Sequence, residues 1–175
     1  MKSPVTEICD LNSELPPDAP DAPQWLVDAL QVPREEGWVT SEGCEVHYFR
    51  WGDPANPPLL LMHGFLAHAR CMAFIAPFLA EQYHVVAYDL SGMGDSGVRS
   101  SYPDAIRAQE VVDVARETGL FDHAIKPIVI AHSYGGHVGL AAMNDFHELF
   151  GGLVVCDLMV LRPERLKAHF GGGRP

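Results

Sequence analysis

The densest run of reactive chemistry is Pro-Ile-Val-Ile-Ala-His-Ser-Tyr-Gly-Gly, residues 127–136. A buried-strand pattern ends at Ser133, small residues stand two places before it (Ala131) and two after it (Gly135), and a helical pattern follows. A turn this tight between strand and helix puts the serine in strained backbone geometry and leaves no room for bulk beside it. The hydroxyl then projects above the sheet at the positive end of the helix, as a nucleophile attacking a carbonyl requires. Ala131 replaces the glycine usual at such a turn, yet still meets the steric demand.

Two further motifs bear on the same chemistry. Leu59-Leu60-Leu61-Met62-His63-Gly64-Phe65 is a strand running into a turn that exposes backbone N–H groups. The amides of Phe65 and Tyr134 together would form an oxyanion hole for a tetrahedral intermediate. Tyr88-Asp89-Leu90-Ser91-Gly92-Met93-Gly94-Asp95-Ser96 is a glycine-punctuated turn after another strand. Its spacing Gly92-x-Gly94-x-x-Gly97 also spells a dinucleotide fingerprint, but a polar loop with Pro103 follows where that fingerprint needs a helix to hold pyrophosphate. The glycines are read as turn formers, with Ser96 bonding local backbone.

Other reactive side chains read as structural. His63 and His132 flank the serine and are taken as scaffold. No His-Glu-x-x-His pattern occurs, and His147-Glu148 lacks a second ligand after it, so no metal is expected. Cys9, Cys44, Cys71 and Cys156 are too scattered for a zinc site or a disulfide framework. No cofactor is expected.

These motifs need elements to hold them. Residues 1–36 contain six of the 14 prolines and eight acids against Lys2 and Arg34, a local charge of −6. Such a segment reads as an acidic, partly disordered lead-in, with a short helix over Gln24 to Leu30 that docks on the body. From Gly37 to Pro175 short apolar runs alternate with helical patterns, which predicts a layered α/β domain. Trp38 to Thr40 and Glu45 to Arg50 read as an antiparallel pair. Pro58 to Met62, His84 to Tyr88, Ile128 to Ala131 and Leu153 to Asp157 read as buried parallel strands. Helices are expected over Ala69 to Ala80, Ala105 to Thr118 and Tyr134 to Phe146. In the second, Ala108, Val111, Val112 and Ala115 face inward while Arg107, Glu110, Asp113 and Glu117 point outward.

The three motifs, in this order between these elements, resemble the α/β-hydrolase family over roughly residues 37–157: a strand-His-Gly loop, an Asp-x-x-Gly-x-Gly-x-Ser turn and a nucleophile elbow. The resemblance implies a mostly parallel central sheet with flanking helices. It also implies a serine hydrolase in which Ser133 attacks a small carboxylic ester or related carbonyl, with Phe65, Leu66 and Tyr134 lining an apolar acyl pocket. In this family an aspartate at the elbow goes with epoxide hydrolases and dehalogenases, and a serine with esterases, lipases and lactonases.

The family places its triad acid and histidine, in that order, after later strands. Only 42 residues follow Ser133 (175 − 133), whereas two more strand-helix units take about 60. An abbreviated triad would have to use Asp157 and His169. The chain is therefore expected to stop after about the sixth strand, without the usual acid and base. The competing expectation is a hydrolase domain with no turnover.

Composition excludes other classes. With 12 basic against 23 acidic residues the net charge is −11, which disfavours nucleic acid and anionic membranes. No apolar run nears the roughly 18 residues of a membrane span and no secretory leader is evident, so a cytoplasmic protein is expected. An exposed sheet edge is expected to favour self-association.

Overall fold

The computed structural model describes residues 22–158, and the sequence pattern explains most of its elements. Helix α1 (Gln24–Leu30) precedes β1 (Glu35–Ser41) and β2 (Cys44–Trp51); β3 (Pro58–Met62), α2 (Ala76–Ala80) and β4 (His84–Tyr88) follow. The chain continues through α3 (Asp104–Glu117), β5 (Ile128–His132), α4 (Tyr134–Phe146) and β6 (Gly152–Cys156). The six strands form one sheet in the order β1-β2-β4-β3-β5-β6. The pairs β1–β2 and β2–β4 are antiparallel, while β3–β4, β3–β5 and β5–β6 are parallel. Strands β3 and β4 are buried at every position, as their unbroken apolar runs dictate for a sheet covered on both faces.

Each face has its own core. One is built on Leu60, Met62, Val86 and Tyr88 with Ala108, Val111, Val112 and Ala115 of α3 and Val138 and Ala142 of α4. The other packs Phe49, Trp51, Leu59, Leu61, Val85 and Ala87 against Ala69, Ala73 and Ala76. Helix α1 docks beside it, with Trp25 and Phe78 rings 6.3 Å apart.

Four expectations need correction. The helix foreseen over Ala69 to Ala80 is split into a 3₁₀ turn, Ala69–Met72, and α2, because Pro77 sits in the first turn of α2 where a ring is tolerated but an upstream helix cannot run through it. Arg107 and Glu110 do not point outward; both are buried and pair with one another. The last strand is not fully buried: β6 alternates between half-buried and exposed, with Val154 49% exposed. The sheet also begins at Glu35, two residues before Gly37.

Candidate active site

Ser133 sits between the last residue of β5 and the first of α4, with φ 50° and ψ −116°. Positive φ in a non-glycine residue costs on the order of 1–3 kcal/mol and persists only where surroundings enforce it. They do so here. The Ser133 amide donates to the carbonyl of Cys156 (2.9 Å), and the Ser133 carbonyl accepts from the amide of Gly136 (2.9 Å). A Cβ on Gly135 would lie 2.5 Å from the His63 carbonyl oxygen, so the elbow and the loop after β3 touch backbone to backbone. A Cβ on Gly64 would lie 3.3 Å from Ser133 Cβ, which places that loop directly beside the serine.

The side chains of the two residues expected to supply oxyanion amides meet. Phe65 and Tyr134 stack edge to face with centroids 5.7 Å apart, drawing the turn after β3 onto the start of α4. The Tyr134 amide belongs to the first turn of α4, where N–H groups lack intrahelical acceptors. The amide of Phe65 has no acceptor among the described residues. Phe65 and Leu66 are 65% and 80% exposed, so the acyl pocket foreseen from them is an open apolar rim here.

His63 has a scaffold role. Its Nε2 accepts from the Leu90 amide (3.0 Å), which fixes Nδ1–H as the donor to the Gly64 carbonyl (2.7 Å). Burial lowers its pKa, so the neutral ring ties the loop after β3 to the turn after β4. His132 lies on the surface with Nε2 4.0 Å from Asp157 Oδ2. Asp157 follows β6 with φ 55°, and its side chain is 91% exposed. Among the described residues Ser133 Oγ has no hydrogen-bond partner. His169 lies outside them.

The turn after β4 is held by residues that local patterning could not reveal. Asp89 is buried; Oδ1 accepts from the Ala69 amide (2.5 Å), and Oδ2 from the Asp95 amide (2.9 Å) and His47 Nδ1 (2.8 Å). Ser96 donates to the Asp89 carbonyl (2.6 Å), the local backbone role expected of it, and also accepts from the distant His47 amide (2.8 Å). His47 Nε2 reaches Glu36 (2.7 Å). Burial alone would lower the His47 pKa and raise that of Asp89. The contacts outweigh it: Asp89 and Glu36 raise His47, and His47 with the two amides lowers Asp89.

The sign of the resulting pH dependence follows. The His47 contribution is complete below its unfolded pKa of about 6.5 and is lost as pH rises through the higher folded value. The Asp89 contribution is complete above about 3.9 and is lost as pH falls through its lower folded value. Urea midpoints taken upward from pH 6.5 should therefore decline more steeply in the wild type than in Glu36→Gln, which removes one of the two carboxylates. Parallel curves would contradict this.

A serine at positive φ between a strand and a helix, with the loop after β3 beside it, is an arrangement typical of α/β-hydrolase folds. Comparison with known proteins agrees: residues 59–175 match the alpha/beta hydrolase family, and the chain belongs to that family. It is similar to the uncharacterized hydrolase YugF of Bacillus subtilis, 27% identical over 118 residues, covering 66% of this chain and 42% of YugF. It is also similar to a soluble epoxide hydrolase of Corynebacterium sp., 31% identical over 118 residues, covering 67% of this chain and 39% of that protein. Among solved structures, a bacterial membrane phospholipase A superposes with TM-score 0.68 at 30% identity, over 80% of this chain and 44% of the other. The chain thus spans about two fifths of the length of these curated relatives. No helix of the described residues is long and apolar enough to cross a membrane.

Proposed function

We propose that Ser133 is the nucleophile of a serine hydrolase that cleaves small carboxylic esters or related carbonyl compounds. The observation that carries this reading is the positive φ of Ser133 at the mouth of α4, beside the Gly64–Phe65 loop. Ser133 Oγ adds to the acyl carbon, and the carbonyl oxygen becomes an oxyanion facing the amides of Phe65 and Tyr134. Collapse expels the alcohol, and water then releases the acyl group from the serine. Serine at the elbow favours ester chemistry over epoxide opening, which in this family goes with an aspartate.

The test is labelling with a fluorophosphonate, read by mass spectrometry, in a form of the protein that carries the acid and histidine of the triad. Label is expected on Ser133 and absent in Ser133→Ala, with ester turnover down about a thousandfold or more. Label on another residue would overturn the assignment.

A second reading has its own support. Ser133 Oγ lacks a partner among the described residues, and a serine without a general base is unreactive near neutral pH. The 175-residue chain by itself is thus expected not to turn over p-nitrophenyl esters. Turnover that vanishes in Ser133→Ala would instead restore Asp157 and His169 as acid and base.

A further inference from the structure

β6 stands last in the sheet order, and its outer edge has no partner among the described residues. Edge strands of folded proteins are shielded by lysine, proline, a bulge or a covering element. β6 has none of the first three: it reads Gly-Leu-Val-Val-Cys, and its register to β5 runs unbroken from Gly152 to Cys156. The opposite edge, β1, begins with Glu35 and Glu36. On one face of β6 Val154 is half exposed, level with the half-buried Ile130 of β5. On the other, Leu153 and Val155 lie half-buried against the glycines of α4.

We propose that the 175-residue chain pairs with a second copy of itself, β6 against β6 and antiparallel, joining the two six-stranded sheets into one across a twofold axis. Centred on Val154, the strand complements itself. Val154 meets Val154, Leu153 meets Val155, and the small Gly152 meets Cys156, so no like charges face each other. The same register brings the exposed Asp157 level with Gly151 of the other copy. Gly151 packs against the backbone of Lys126, where an added Cβ would lie 2.9 Å from the carbonyl oxygen, and the Lys126 side chain is exposed. Each end of the joint therefore sets a carboxylate beside an ammonium group. The two Asp157 residues stand six positions apart along it, about 20 Å, well past the screening length of about 8 Å.

The rest of the chain does not supply a strand for this edge. Residues 159–175 hold Pro163 and five charged side chains, Arg162, Glu164, Arg165, Lys167 and Arg174, and residues 1–21 hold four prolines and five acids. Neither stretch has the composition of a strand. A joint of five residues a side is small, so the dimer is weak, half-formed at roughly 10–100 μM. It rests on the sheet order and the sequence of β6, and is independent of the Ser133 reading.

The test is sedimentation velocity of the 175-residue chain from about 1 to 500 μM, a range that brackets the expected midpoint. Monomer should give way to dimer. Val154→Lys, which sets two ammonium groups face to face at the centre of the joint, should weaken association at least about tenfold while the fold still melts cooperatively. Phe78→Lys, on the exposed aromatic surface of α2, should leave association unchanged. Gly152→Cys sets a thiol opposite Cys156 of the second copy, and mild oxidation with glutathione disulfide should link those two positions. A monomer throughout the range, association that Val154→Lys leaves intact, its loss in Phe78→Lys, or a cross-link that avoids Cys156 would overturn the proposal.

Discussion

Glu110→Ala is expected to lower the unfolding free energy by about 3–5 kcal/mol, the range for removing one partner from a buried ion pair. Glu110 is completely buried in α3; Oε1 accepts from the Ser91 amide (3.0 Å) and Arg107 Nη1 (3.3 Å), and Oε2 from Arg99 Nη2 (3.2 Å). Arg99 continues to Ser91 Oγ (2.9 Å) and to the carbonyls of Ser41 (2.8 Å) and Glu42 (3.0 Å). One carboxylate therefore joins α3, the turn after β4 and the β1–β2 hairpin. Its removal strands two guanidinium groups whose side chains are only 3% and 8% exposed. For a chain of this size each kcal/mol moves the melting midpoint by about 2–4 °C, so calorimetry should show a drop of roughly 10 °C. Glu110→Gln keeps the shape and some of the bonds, and should fall between. A loss below about 1 kcal/mol in Glu110→Ala would mean that the arginines find water instead.

Gly135→Ala is expected to impair the proposed chemistry of Ser133 without altering the serine itself. The added Cβ would meet the His63 carbonyl oxygen at 2.5 Å and Met62 Cβ and carbonyl oxygen at 3.1 Å each. Backbone and the fully buried β3 cannot yield cheaply, and overpacking of this kind costs about 1–3 kcal/mol. The strain is relieved most easily by moving the turn at Ser133 off the loop after β3, which would separate the Phe65 and Tyr134 amides proposed as oxyanion donors. In the triad-bearing form, fluorophosphonate labelling of Ser133 should be slowed about a hundredfold or more while the fold still melts cooperatively. Labelling at the wild-type rate would show that the contact has slack.

The elements legible in the sequence are those whose pattern is local. Pro58–Met62 and His84–Tyr88 are unbroken apolar runs, and Tyr134–Phe146 begins at a glycine-flanked turn; all three have the bounds the pattern predicts. What escaped was decided by partners distant in the chain. Arg107 and Glu110 look like solvent-facing charges on α3 because the third member, Arg99, comes from a turn with no periodicity. His47 looks like one polar residue in an alternating strand, and only the arrival of Asp89 from 42 positions away makes it a buried bridge. At the serine the reverse holds. Small neighbours and the strand-helix switch are local demands, so the tight turn at Ser133 was legible, whereas Asp157 and His132 meet only through the pairing of β5 with β6.

That pairing gives Ser133 an unusual dependence. The β5–β6 ladder runs through His132 opposite Cys156, and its final rung is the Ser133 amide on the Cys156 carbonyl. The edge strand is therefore a latch on the Ser133 backbone. When β6 frays, the restraint that holds Ser133 at positive φ goes with it, and the residue can fall back to an ordinary turn. Hydrogen exchange at that single amide would report the opening of the latch directly, so the rate at which one proton is lost to solvent measures how long the serine stays cocked.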